Sequence, residues 1–367
     1  MASRTTHPVL DTRALNRATL ARQLLLSRAE MSARDAVGHL LGLQAQNVKP
    51  PYFQLHARLA GFLPAELAGL MESRDVVRMV TMRSTIHTHT AHDALTLRPL
   101  VQPARDREVA YFRKGLAGVD LGSLAERSRV FVEAEPRTMA EIRGELLRHW
   151  PDADPQSLSV AARCLLPLVQ VTPRGVWGRS GQVRLTTVES WLGGRPAAPA
   201  QPVDDVVRRY LAAFGPASVK DMQLWAGLTR LKDAFERLRP ELDVFQDENG
   251  VELFDLPDAP RPDPGTPAPP RFLPEFDNLL LSHADRSRVV DPAIKGRTWT
   301  GNQAHRTLLV DGFLAGLWKT EGPAVTVELF RKVSAAEKEE IAAEAEPLVA
   351  AMGEGGSASV RFGSIHG

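Results

Sequence analysis

At 367 residues, 43% hydrophobic and 24% charged, the chain has the composition of a soluble globular protein long enough for two to four domains. Its one cysteine, Cys164, excludes an internal disulfide framework and sits in an apolar stretch, which suits a buried inert thiol better than a nucleophile; no apolar run is long enough to cross a membrane, and Met1 to Thr6 lead into no signal core, so a cytoplasmic location is expected. Net charge is +1, but residues 1–150 carry 21 Lys and Arg against 15 Asp and Glu while residues 151–330 carry 20 against 23, so the N-terminal part leans basic and favours a polyanionic partner.

In chain order, residues 15–47 predict short helices: Leu20, Ala21, Leu24 and Leu25 recur three and four apart, and Ser32 is placed to cap a helix whose apolar side is Ala36, Val37, Leu40 and Leu41. That helix is expected to end by about Asn47, because Lys49 precedes Pro50-Pro51 and proline holds the residue before it extended. A further helix spans 64–71. The period then changes, and residues 76–82 and 84–90, rich in β-branched side chains, predict a hairpin around Arg83-Ser84. Helices followed by a hairpin is the order of a winged helix.

The same order recurs twice. Residues 138–149 and 156–166 predict helices, the first opened by Thr138 and Glu141 as a capping box, and 169–172 pairs with 182–185. After the Pro- and Gly-rich stretch 192–202 come helices at 204–214, 218–225 and 229–238, then strands 244–245 and 251–254 joined through Asn249-Gly250, a strong turn pair. Seven prolines between Pro257 and Pro270 predict an extended linker. Beyond it 271–283, 308–318 and 324–330 alternate as strands, Asp311-Gly312 makes a hairpin turn, and one helix at 334–352 opens on Ser334 and Glu337. The expected fold class is α+β: winged helices at 1–118, 119–195 and 202–258, a linker at 259–270, and a β-barrel with one helix at 271–367.

Gln44-Ala45-Gln46 stands where the first apolar pattern ends. Two readings are open. The amides satisfy the free carbonyls of a helix terminus, or the backbone opens at Ala45 so that both side chains, two apart on an extended segment, point into one cavity.

Several stretches carry a resemblance: Leu15-Asn16-Arg17, Arg22-Gln23-Leu24-Leu25-Leu26, Gly42-Leu43-Gln44-Ala45-Gln46, Met82-Arg83-Ser84-Thr85-Ile86-His87, the run from Leu273 to Arg286, and Val310-Asp311-Gly312 with Gly316-Leu317-Trp318. Together they resemble the winged-helix DNA glycosylases of the AlkZ and YcaQ family over most of the chain. The resemblance implies a C-shaped monomer of three tandem winged helices closed by a β-barrel, with double-stranded DNA bearing alkylated or cross-linked guanine in the concave channel. It implies excision of bulky N7-alkylguanines and unhooking of interstrand cross-links, without cofactor or metal, in repair or in self-resistance to a DNA-alkylating natural product. A nucleoid-associated place in the cytoplasm follows. The family's catalytic motif is glutamine, an apolar residue, then glutamine or an acid, so Gln44 and Gln46 are the catalytic candidates. Lys49, Arg83, His87, His89, Arg98, Asn278, His283 and Arg286 are the expected DNA contacts.

Amides suffice for this chemistry because an N7-alkylated guanine is already cationic and leaves as a neutral base. Glutamine cannot deprotonate water at pH 7, but its carbonyl accepts and its amide donates, which can hold a water beneath C1′. No lysine beside the motif demands a Schiff base, and Lys49 suits a phosphate contact.

Other residues carry competing readings. His87, His89, His92 and Asp93 approach a metallo-hydrolase zinc motif, but Ala91 stands where that motif has aspartate; structural wing histidines or DNA contacts are the alternatives. Asp277, Asn278, His283, Asp285 and Arg286 form either a hydrogen-bonded corner or a DNA-facing edge. Arg83, Arg98, Arg105, Arg107, Arg113 and Lys114 are phosphate contacts or solvated surface charges, and Trp177 and Trp299 are stacking residues or core. The rival to a glycosylase is a tandem winged-helix regulator without chemistry, against which stands the lack of a sustained heptad pattern for a dimer.

Overall fold

The computed structural model describes residues 7–194, 199–353 and 357–365. Strand β1 (Val9–Leu10) leads to the helix Thr12–Arg22, capped by Asp11, whose carboxylate accepts from Ala14 N at 2.7 Å. The helix Ala33–His39, capped by Ser32, stops well short of Asn47. Leu41 and Gly42 take φ of 55° and 95°, and Gly42 N donates to Val37 O at 2.9 Å, a Schellman closure that turns the chain into β2 (Leu43–Gln44). The leucines that continue the helical pattern therefore serve a turn and a strand. Pro50 and Pro51 do not hold an extended exit either: they start the helix Pro50–Arg58, where a missing N–H costs nothing, and Lys49 is αR at φ −79°, ψ −35°.

The helix Pro64–Glu72 precedes β3 (Val76–Val80) and β4 (Ile86–Thr90), the expected hairpin. Helices Met139–His149 and Pro155–Leu165 follow, with the Thr138–Glu141 capping box in place, and lead to β5 (Leu168–Gln170) and β6 (Leu185–Thr187). These two hairpins are not separate sheets. They join in the order β2-β4-β3-β5-β6, with Arg78 opposite Gln170 and Met79 opposite Val169.

The helices Val203–Phe214, Val219–Ala226 and Lys232–Leu238 precede the hairpin of β7 (Asp243–Asp247) and β8 (Glu252–Asp255). β1 adds to β7 in parallel, so the first residues pair with this third unit. Its core of Tyr210, Phe214, Trp225 and Phe235 also takes in Leu41, Met82 and Leu97 from the first.

The C-terminal region holds β9 (Arg271–Leu273), the short hairpin β10 (Trp299–Thr300) and β11 (Gln303–Ala304), then β12 (Thr307–Val310), β13 (Phe313–Glu321), β14 (Ala324–Leu329), the helix Ala335–Ala351 and β15 (Ser359–Phe362). Its main sheet runs β15-β14-β13-β12-β9 and is open, with β9 and β15 at opposite edges among the described residues. The expected barrel is thus corrected to an open sheet backed by one helix. The reason lies after Leu273, where Phe276 takes φ 62° and Asn278–Leu280 forms a 3₁₀ turn, so the segment expected to run as a strand to His283 leaves the sheet. Phe53, from the helix begun by the two prolines, packs its ring centroid 6.3 Å from Trp177 and 5.8 Å from Trp318 and ties this sheet to the first unit.

Candidate active site

The loop following β2 is strapped from several directions. Asn278 spans its start, donating Nδ2 to Gly42 O at 2.8 Å and accepting from Gln44 N at 3.4 Å. Gln44 O accepts from Gln54 Nε2 at 3.0 Å, Ala45 N donates to Ile86 O at 2.7 Å, and Ala45 O accepts from Arg78 Nη2 at 2.9 Å. Asn47 Nδ2 donates to Glu275 Oε1 at 3.1 Å. A buried backbone group left unpaired costs roughly 1–3 kcal/mol, so these side chains define the path of the loop rather than decorate it.

Within this frame the two glutamines differ. Gln44 is buried, and its Oε1 accepts from Arg83 Nη2 at 2.6 Å. Arg83 sits at φ 51°, its other amine donates to Trp225 O, and burial pushes its guanidinium down to about 10, still charged at neutral pH. Gln46 is exposed, and its carboxamide meets no hydrogen-bond partner among the described residues. It lines a cavity of about 240 Å³ with Met79, Ile86, Met139, Leu168 and Val183. Of the two amides Gln46 lines this cavity, while the Gln44 oxygen is turned to Arg83 at the tip of the hairpin.

His87 is the cross-strand partner of Gln44. Burial, reinforced by Arg83 and His89, holds its imidazole well below the usual histidine range, so the ring is neutral and Nδ1, 3.0 Å from Thr85 O, carries the proton. His89 stacks on it at 5.6 Å and lies 2.8 Å from Thr81 Oγ1, with burial pushing it down to about 4. Gly42 makes room for this ring, because a Cβ at residue 42 would come within 2.4 Å of it.

Of the expected DNA contacts, several are spent inside the protein. His87, His89, Arg98, Asn278 and His283 are all buried; Arg98 donates to Cys164 O at 2.7 Å and Gln102 Oε1 at 2.6 Å, and His283 Nε2 lies 2.9 Å from Phe214 O. Their placement makes them struts, and the Asp277–His283 segment a hydrogen-bonded corner. Arg286 is half-buried and donates to Leu280 O at 3.2 Å. Lys49 stays exposed, with Nζ 5.6 Å from the Trp177 ring centre. The zinc alternative loses its ligands: Asp93 accepts two bonds from Arg209 at 2.7 and 2.8 Å, and among the described residues no three His, Cys, Asp or Glu are grouped to hold a metal.

Sequence reasoning did not single out Arg78, Gln54 or Glu275. Arg78 had a signal, a charge inside the apolar strand Val76–Val80 that needs buried partners, and Gly175 clears its side chain, since a Cβ there would lie 2.5 Å from Arg78 Cδ. Glu275 had only its place in the Leu273–Arg286 run, and Gln54 had none.

A family model described as DNA glycosylase AlkZ-like matches residues 37–351. The chain belongs to the AlkZ-like DNA glycosylases. As such it is an enzyme, a hydrolase of N-glycosidic bonds. An interstrand DNA cross-link repair glycosylase of Streptomyces sahachiroi is 25% identical to this AlkZ-like chain over 348 residues, covering 85% of it and 88% of the relative. The solved structure of Streptomyces sahachiroi DNA glycosylase AlkZ has the same fold, with a TM-score of 0.78 at 19% identity over 96% of this chain and 100% of that one.

Proposed function

We propose that this AlkZ-like enzyme is a monofunctional glycosylase that hydrolyses the glycosidic bond of bulky N7-alkylguanines and unhooks N7-linked cross-links in duplex DNA, in repair or in self-resistance to an alkylating natural product. In this reading DNA lies along the concave side of three winged-helix units, against the Gln44–Lys49 loop. The observation that carries the reading is that loop: a Gln-Ala-Gln segment whose backbone is held by three side chains, Asn278, Gln54 and Arg78, while the Gln46 amide is left free. A held amide at Gln44 beside a free one at Gln46 positions a water without needing a strong base, which fits a leaving group that is already cationic. The largely apolar cavity beside Gln46 supports a bulky adduct over a small one. Lys49, beside Trp177 and exposed, suits a phosphate better than a Schiff base.

The test is base release from duplex DNA carrying an N7-alkylguanine or an N7-linked cross-link, read as alkali-labile abasic sites. Gln44→Ala and Gln46→Ala should each lower the single-turnover rate by about 10²-fold, the scale of a lost positioning contact. Borohydride should trap no covalent enzyme–DNA complex. Full activity in both variants, or a trapped complex, would defeat the reading.

A further inference from the structure

We infer that Arg83 is a positioning residue that fixes which end of the Gln44 carboxamide faces the substrate. The inference rests on the glycosylase reading and assigns the two glutamines different tasks within it.

A carboxamide in a site has two orientations that exchange an acceptor for a donor, and their shapes are almost the same. A guanidinium has five donors and no acceptor, so the atom 2.6 Å from Arg83 Nη2 must be the Gln44 oxygen. The oxygen is thereby turned inward, and the NH₂ is the end left for chemistry. Gln44 then offers donors, and Gln46, unpartnered, supplies the acceptor. A water that accepts from one amide and donates to the other has its orientation set as well as its position. Two interchangeable amides would leave that orientation free.

The arginine is itself held. Its second amine donates to Trp225 O at the end of the helix Val219–Ala226, whose C-cap is Gly227. Gly227 lies against the hairpin tip, where a Cβ would come within 3.0 Å of Arg83 N and 3.1 Å of its Cα. Arg83 and Ser84 both take left-handed φ, 51° and 64°, an arrangement that costs free energy and turns the guanidinium inward instead of toward solvent. An arginine meant for phosphate at a wing tip would need none of this. Arg83 thus links the third unit, at Trp225 O, to the Gln44 carboxamide.

The experiment compares wild type, Arg83→Met, Arg83→Lys, Gln44→Ala and the Arg83→Met/Gln44→Ala double variant on N7-methylguanine duplex, measuring kcat, KM and the salt dependence of binding. Wild-type release reads the glycosylase assignment; the ratios among variants read the role of Arg83. Arg83→Met should lower kcat by about 10²-fold with KM and the salt slope kept, Arg83→Lys should restore part of the rate, and the Met change should add nothing in the Gln44→Ala background. Intact DNA binding at an unchanged salt slope also shows that the variant is folded. Gln44→Glu, bearing only oxygens and paired to Arg83, should lose as much as Gln44→Ala. The inference is overturned if Arg83→Met keeps kcat while raising KM and reducing the salt slope by about 0.9, the mark of a lost phosphate contact. Multiplying losses in the double variant, or wild-type activity in Gln44→Glu, would overturn it equally.

Discussion

Two buried histidines, His89 behind the glutamine motif and His56 in the helix Pro50–Arg58, are held neutral, and that gives the protein a pH dependence of stability separate from its chemistry. Burial takes His89 down to about 4, and burial with Arg28 and Arg271 nearby takes His56 to about 4 as well. In the unfolded chain both would titrate near 6.5. Between pH 6.5 and 4 the unfolded state therefore binds more protons, so stability is complete above about 6.5 and falls as pH drops through this window. The slope should approach about 1.4 kcal/mol per pH unit for each such histidine. Urea unfolding at pH 7, 6, 5 and 4.5 should show the decline, and His56→Gln should flatten it; an unchanged slope in that variant would exclude His56 as a source. The packing of the same cluster makes a second expectation. Gly42→Ala places a methyl 2.4 Å from the His89 ring at φ 95°, so it should destabilise by about 1–3 kcal/mol in the same unfolding experiment and displace β2.

Among the elements, helices and hairpins with strong local signals were legible, and what was not legible involved partners distant in sequence. The Ser32, Thr138 and Ser334 caps, the β3–β4 hairpin and the Asn249-Gly250 turn all depend on residues close together in the chain. Leu40 to Gln44 misled because apolar period alone does not distinguish a helix from a turn and strand that are equally buried. The pairing of β3 with β5, the addition of β1 to β7, and the open edge at β9 depend on long-range contacts with no periodic trace. Gln44 and Gln46 were legible as a motif. Their unequal settings were not, because these depend on Arg83 meeting Trp225. The shared β3–β5 sheet has a functional consequence, since it brings Val183 and Leu185 of the second hairpin to the cavity beside Gln46. Val183→Trp should fill that space and lower release of a bulky N7 adduct by at least about tenfold while sparing N7-methylguanine, because the small base does not need the volume. Equal losses on both substrates would show that the cavity does not receive the adduct.

At the scale of the molecule, two buried ion pairs join distant parts of the chain. Arg22 meets Asp255 at 2.5 and 2.8 Å, and Arg58 meets Asp277 at 2.9 and 2.8 Å, with all four side chains fully buried. Desolvating two charges offsets most of their attraction, so a pair in this setting is weak evidence for stability, although breaking it leaves an uncompensated charge and costs about 3–5 kcal/mol. The second pair has a further consequence. Asp277 precedes Asn278, the residue that holds Gly42 and Gln44, while Arg58 also donates to Gln54 O at 3.1 Å, and Gln54 holds Gln44 O. The C-terminal corner and the helix Pro50–Arg58 are thus registered against the Gln44–Lys49 loop through one guanidinium. Stability and rate should therefore separate. Asp277→Leu alone should lose about 3–5 kcal/mol by urea unfolding, and adding Arg58→Met should recover much of it by removing the orphaned charge. Base release should stay low in the double variant, because Asn278 and Gln54 no longer have a fixed anchor. If the double variant regains both stability and rate, the pair is only a packing feature; if it regains stability alone, the ion pair exists to place the loop.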